Sequence, residues 1–352
     1  MRTRLLMVVA LGLAVPAWCP AQDVPVRPRE GEFTCYPNHP GTWKRGVGVD
    51  GPGMKGLTPA QLRLFRSKMD SVAAVVRATA VFNPPVGFVA NAWQDYCCTP
   101  QCKQSGTCGK RPAHGRLWLN LNYFLGVGRG PVTDGELRAE AELYFNDPDR
   151  IWNGDAGVVL PDGRKTLRQP EPWGKIGGLT LYHNQERGDL YAFFTSPRRG
   201  ARPLWLPVSN EQYLEALLRP REEALANDLK TLPASFHEKL KQGYALMIDP
   251  PRAQLRGMSA AERAAPAWVG SGGLPVPANT ADARPVVVFN PDYFDMSLPR
   301  TDIQLIVLRL EGIPLEGRKP GPQLQYCSDV SNERLWQFVE QMNWQAMARW
   351  MN

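Results

Sequence analysis

The sequence is poor in the features from which a catalytic or nucleotide-binding chain is read. It holds only four histidines, and no two stand at a metal-ligand spacing such as His-x3-His, which excludes the helical zinc motif. Gly-x-Ser-x-Gly is absent, so a nucleophile elbow is excluded. The nearest match, Ser271-Gly272-Gly273, lies in a Pro/Gly stretch where that motif needs a strand-to-helix turn. No phosphate-cradling loop is present: Gly126-Val-Gly128-Arg-Gly130 lacks both the Lys-Ser/Thr ending and the strand-helix context. Blocks of like charge are missing as well. The longest basic clusters are Arg198-Arg199 with Arg202 and Arg318-Lys319, too short for a phosphate-tracking surface, so no nucleic-acid partner is implied. After Val15 no apolar run is long enough to cross a bilayer, which excludes a membrane span from the rest of the chain.

What is there begins with a secretory pattern. Arg2 and Arg4 precede the apolar stretch Leu5 to Val15, itself well short of the roughly 20 residues that span a membrane. Small residues follow at Cys19 and Ala21, so residues 1–21 read as a signal peptide cleaved near Ala21, and the mature chain is expected in the periplasm or the medium. Lipidation of Cys19 is disfavoured by the bulky Trp18 before it. Cleavage removes Arg2 and Arg4 and takes the formal charge from +7 to +5.

Of seven cysteines, the six left after cleavage are Cys35, Cys97, Cys98, Cys102, Cys108 and Cys327. An even set in an exported chain points to three disulfides. Adjacent cysteines rarely bond each other, so Cys97 and Cys98 should reach different partners. The preferred pairing joins Cys102 to Cys108 and shares Cys97 and Cys98 between Cys35 and Cys327. The rival is a zinc site from these cysteines with His114. It is disfavoured because Cys97 and Cys98 diverge in direction and the compartment is oxidising. No cofactor and no metal is expected.

The organisation expected is a signal peptide (1–21), an irregular Pro/Gly-rich arm (22–56), a first half-domain with a Cys-rich loop (57–205) and a second half-domain (206–352). Asn-x-x-Tyr-Phe recurs at 120 and 290 and Asx-Pro-Pro at 83 and 249, with nearly equal offsets, which suggests a weak internal duplication. Thr58-Pro59-Ala60-Gln61 is a capping box opening a helix, with Leu62, Phe65, Met69, Val72 and Val76 on one face. Ser209 with Gln212 and Ser259 with Glu262 repeat the cap, and Thr133 to Glu136 has the same spacing, predicting a helix or helical turn through Leu143. Pro220 should kink or restart its helix. Leu179 to His183 and Leu190 to Thr195 form a hairpin. Ile303 to Leu310 reads as an interior strand covered on both faces. Strands grouped between helices without alternation predict an α+β fold, with helices packed on one face of antiparallel or mixed sheets.

Candidate functional residues are few. Trp152, Trp173, Trp205 and Trp268 fall in Pro- or Gly-flanked contexts and could stack on a sugar or a partner, or simply cover the core. His183 with Glu186 could form a base and its orienting carboxylate, and Asp292 with Asp295 an acid pair. Both also fit ordinary turn chemistry, as does Asp147 with Asp149. Trp205-Leu-Pro-Val-Ser-Asn-Glu-Gln-Tyr-Leu-Glu-Ala and Phe289-Asn-Pro-Asp-Tyr-Phe-Asp-x-x-Leu-Pro resemble segments of a family of exported bacterial proteins without an assigned activity. The resemblance spans about 205–310; it implies export and transfers no site residue. The expectation is an exported, non-enzymatic protein that binds an envelope component, a saccharide or a protein partner. The alternative is an envelope hydrolase using His183 with Glu186, or Asp292 with Asp295.

Overall fold

The computed structural model describes residues 34–50, 54, 56–96, 111–126, 131–148, 158–184, 189–196, 202–311 and 328–351. The signal segment, the arm up to residue 33, five of the six mature cysteines, Trp152, Asp149 and Glu186 lie outside the described residues.

The chain builds an α+β fold on a nine-stranded main sheet. Its strands are β1 (Thr34–Cys35), β2 (Trp43–Asp50), β3 (Phe88–Tyr96), β4 (Gly115–Gly126), β5 (Val132–Phe145), β7 (Glu171–Ile176), β8 (Leu179–Asn184), β9 (Asp189–Thr195) and β13 (Leu305–Glu311). The order is β2-β3-β4-β5-β13-β9-β8-β7, with β1 added beside β4, and only β2 and β3 run parallel. A smaller sheet centres on β12 (Arg284–Phe289), which pairs with β10 (Trp205–Pro207), β11 (Trp268–Val269) and β6 (Leu167–Arg168).

Helix α1 (Pro59–Arg77) starts where its residues dictate. The Thr58 hydroxyl accepts the Gln61 N–H, Gln61 returns a bond to the Thr58 N–H, and Pro59 occupies a position whose missing donor costs nothing. Phe65, Met69, Val72, Ala73 and Val76 then form one buried stripe. That stripe, with α5 (Ser328–Gln341) and α6 (Trp344–Ala348), covers one face of the main sheet, where Leu117, Leu119, Leu121, Leu143, Phe145, Ile306 and Leu308 are buried. Each such large side chain contributes about 1.5–3 kcal/mol.

Among the described residues, the smaller sheet covers only part of the width of the opposite face. Tyr144, Tyr191, Leu305 and Val307 of the main sheet meet Leu167 and Val287 from the smaller sheet and Tyr293 and Phe294 from the turn after β12. The far side of the smaller sheet, through Val286 and Val288, meets Tyr213 and Ala216 of α2 (Asn210–Thr231). Helix α3 (His237–Gly257) folds back on α2, and α4 (Ala260–Ala264) follows. The expected hairpin (β8 and β9), the interior strand (β13) and the caps at Thr58, Ser209 and Ser259 all form as read.

Three expectations give way. Thr133 to Leu143 is strand β5, because Ala139, Ala141, Leu143 and Phe145 alternate with Glu140, Glu142 and Tyr144, and that two-residue period overrides the cap spacing. Helix α2 runs unbroken through Pro220, and α3 runs through Asp249-Pro250-Pro251, whereas Asn83 follows a short 3-10 turn at Ala80–Phe82. The duplicated motifs therefore occupy unlike places. Asn120 to Phe124 is paired strand in β4, while Asn290 to Phe294 is a turn in which the Tyr293 N–H bonds the Asn290 carbonyl. A five-residue motif takes its conformation from its neighbours, and in β4 both edges are occupied. The main sheet draws strands from both sides of residue 205, β13 lying between β5 and β9.

Candidate functional site

The part of the main sheet left uncovered by the smaller sheet carries a face of aromatic, amide and charged side chains. Strand alternation places them: while Ala90, Ala92, Leu117, Leu119, Leu121, Ala139 and Ala141 face the helices, their neighbours face the other way. These are Asn91, Trp93 and Asp95 on β3, Arg116, Trp118, Asn120 and Asn122 on β4, Glu140 and Glu142 on β5, and Arg309 and Glu311 on β13. Register sets Trp93 opposite Trp118 and Asn91 opposite Asn120, and on the other side Trp118 opposite Glu142 and Glu142 opposite Arg309.

Trp93 is 48% exposed, and its ring lies over Gly46 of β2: a Cβ at Gly46 would come within 2.6 Å of the ring. Glycine here is what lets a large aromatic lie flat on the sheet. Beside it, the Arg116 guanidinium sits 4.9 Å from the centre of the Trp118 ring. The Trp118 indole N–H donates to Glu140 Oε2 at 3.2 Å. Asn91 donates to Asn122 at 3.2 Å. Buried between them, Asn120 has a side-chain oxygen without a hydrogen-bond partner among the described residues.

Next to the rings lies an ion network centred on Glu142. Arg116 reaches Glu142 Oε1 at 2.9 Å and Asp95 at 3.0 Å. Arg309 reaches Glu142 Oε2 at 2.7 Å, Asp189 at 2.9 Å and Glu311 at 2.6 Å. The Tyr144 hydroxyl also donates to Glu142. Burial alone would raise the Glu142 carboxyl, but the Tyr144 hydroxyl and the two guanidinium groups together hold it below the usual carboxylate range. Tyr144 is driven the other way, by burial and by the negative charge it faces. Glu142 is thus an ionised anchor with no proton to give near neutral pH, and both arginines are already engaged. Towards solvent the face presents the Trp93 ring, with the partly exposed Asn91–Asn122 amide pair and the Arg116-bound Asp95 carboxylate beside it.

The residues singled out from sequence take other places. Trp205 of β10 lies 6.0 Å from Phe193 and 6.4 Å from Phe289, in the layer between the sheets. Trp173 of β7 packs against the helix-side core, and Trp268 of β11 is partly buried opposite Pro285. These three rings do not form one surface: Trp173 packs on the helix side of the main sheet, whereas Trp205 and Trp268 lie on strands at opposite edges of β12 in the smaller sheet. His183 lies on β8 opposite Leu190 and Glu171, and its buried Nε2 has no partner among the described residues. Burial lowers its basicity, with Asp189 opposing. The Asp295 carboxylate is engaged by its own turn, accepting from the Ser297 N–H at 2.9 Å and the Ser297 hydroxyl at 2.6 Å. Asp292 is exposed in the same turn. A groove of about 530 Å³ runs between α2 and α3, lined among others by Leu225, Leu229 and Ala245, and it includes neither His183 nor the aspartate pair.

Among the described residues no group of three His, Cys, Asp or Glu side chains could hold a metal ion, and no helix is long and apolar enough to cross a membrane. Cys35, paired in the sheet with Leu125, is disulfide-bonded; its partner lies outside the described residues. Sequence reasoning misses the sheet face although its signal is present: polar and aromatic residues alternate with Ala and Leu along 90–93 and 116–122. Compared with known proteins, the chain matches no family model, no curated protein and no solved structure.

Proposed function

We propose that the chain is an exported binding protein that holds a saccharide, or a similarly polar ring-bearing envelope component, against the open face of β3 to β5. The observation that carries this reading is the half-exposed Trp93 ring, held flat over Gly46 and flanked by Trp118 and by the Asn91 and Asn122 amides. Tryptophan offers a flat apolar surface to a sugar ring, and amides and carboxylates supply its hydroxyls with partners. The ion network around Glu142 makes the strands beneath rigid, so the surface is formed before the ligand arrives. Export is supported by the secretory pattern of residues 1–21 and by the disulfide at Cys35. The hydrolase alternative is the weaker reading: the Asp295 carboxylate is engaged by Ser297, and His183 sits in a sheet register with Leu190 and Glu171.

The test is calorimetric titration of the purified protein with a panel of envelope oligosaccharides, including peptidoglycan fragments and N-acetylglucosamine oligomers, for wild type and Trp93→Ala. Binding that Trp93→Ala weakens by about tenfold or more, a loss of about 1.4 kcal/mol, supports the reading. Absence of binding across the panel, or binding indifferent to Trp93, overturns it.

A further inference from the structure

Asn120 stands on the open face of β4, level with Asn91 on β3 and with Glu140 on β5, and between Trp118 and Asn122 of its own strand. It is only 8% exposed, and its side-chain oxygen, shut off from solvent, has no hydrogen-bond partner among the described residues. The polar groups around it are engaged with one another: Asn91 donates to Asn122, and Glu140 accepts the Trp118 indole N–H. A buried acceptor without a donor costs the fold stability, and an apolar side chain of the same size would avoid that cost. The position is thus explained by something the oxygen meets, not by the folded chain.

We infer that Asn120 is the residue that reads the ligand: its oxygen accepts the amide N–H of an N-acetylamino sugar whose ring lies on Trp93. This rests on the reading of the face as a saccharide site and names the class of sugar. The last side-chain torsion of asparagine is broad and roughly two-fold, so the oxygen turns towards the open face without giving up a hydrogen bond of its own. The group that meets it must donate, and in a nearly closed spot it must bring no lone pair that goes unsatisfied. An amide N–H meets both conditions, with its carbonyl pointing the opposite way, to solvent. A hydroxyl would carry its lone pairs into the same spot. The spacing agrees. Asn91 faces Asn120 across the strands and Trp93 follows it on the same face, which makes Trp93 the diagonal neighbour of Asn120, roughly 7–8 Å away. That span suits a sugar ring stacked on the indole with its acetamido group beside it.

Calorimetric titration of the purified protein with the tetramers of N-acetylglucosamine and of glucose in the same linkage tests this, since the two differ only in an acetamido group against a hydroxyl. The proteins are wild type, Trp93→Ala, Asn120→Leu and Asn120→Ala, the last repeating the test without added bulk. Wild type should favour the acetylated tetramer by about tenfold or more, and both Asn120 variants should lose that preference while still binding through Trp93. Asn120 variants that keep the wild-type preference, with Trp93→Ala still weakening binding, overturn the inference and leave the saccharide site standing. A wild type that binds the two tetramers alike, favours glucose or binds neither overturns it as well, and the wider panel with Trp93→Ala then decides separately on the site itself.

Discussion

The side-chain oxygen of Asn146 accepts the backbone N–H of Gln304 at 2.7 Å. The same oxygen takes the Leu305 N–H at 3.1 Å, and the amide nitrogen donates to the carbonyls of Ala113 and Asp302, both at 2.8 Å. One fully buried side chain thus ties the end of β5 to the starts of β4 and β13, three neighbouring strands far apart in sequence. It does so from a left-handed backbone, φ 52°, which asparagine tolerates better than most residues.

Asn146→Ala should therefore cost on the order of 3–5 kcal/mol, because it leaves buried backbone groups of three segments unpaired. Asn146→Gly relieves the backbone but not the hydrogen bonds, and should recover only about 1 kcal/mol of that loss. Urea unfolding of both variants checks this. A Gly variant as stable as wild type would mean that the side-chain bonds contribute little.

Glu142→Gln should destabilise by about 3 kcal/mol at neutral pH by leaving Arg116 and Arg309 short of a buried counter-charge. The carboxyl is depressed in the folded state, so its stabilisation is fully present above the unfolded carboxyl value of about 4.3 and is lost as pH falls through the lower folded value. The stability gap between wild type and Glu142→Gln should accordingly stay constant from neutral pH down to about 5 and narrow below about 4. Denaturant melts at several pH values measure the gap; one that widens on acidification contradicts the assignment.

His183 should take up its proton below the ordinary imidazole range, since burial disfavours the cation and Asp189 only partly offsets this. The unfolded chain then binds that proton first, so this group withdraws stability as pH falls through about 6.5. A nuclear magnetic resonance titration of the four histidines, with His183→Gln to identify the signal, gives the midpoint. A His183 midpoint at or above 6.5 would show that the Asp189 charge dominates burial.

Gly46→Ala should tilt or displace the Trp93 ring, because the new methyl would lie within 2.6 Å of it. The fold should survive, as Trp93 is half exposed, while tryptophan emission shifts and saccharide affinity drops with the ring. Unchanged emission and affinity in Gly46→Ala would mean that the ring does not act from the position over Gly46.

A residue's role is legible in the sequence where a few neighbours settle it. The three capping boxes at Thr58, Ser209 and Ser259 form because hydroxyl and amide lie one helical turn apart whatever surrounds them. The hairpin of β8 and β9 and the apolar β13 are legible because period and composition fall within one short stretch. Strand β5 is masked by the cap-like Thr133 to Glu136, which suggests a helix just ahead of the alternation that makes it a strand. Flanking Pro and Gly mark several tryptophans as candidates for binding, yet that local context cannot tell a ring between layers, such as Trp205, from one on an open face, such as Trp93.

By itself the sequence determined the helix starts, the two-residue and helical periods, and hence an α+β chain with an apolar side to each element. Only the tertiary structure decided which strand lies beside which, and with it that Glu142 from β5 meets Arg309 from β13 and Arg116 from β4, and that Trp93 lies over Gly46. The physical reason is that caps and periods are settled by bonds spanning a few residues, whereas a face of a sheet is assembled from strands whose pairing depends on the burial of the whole core.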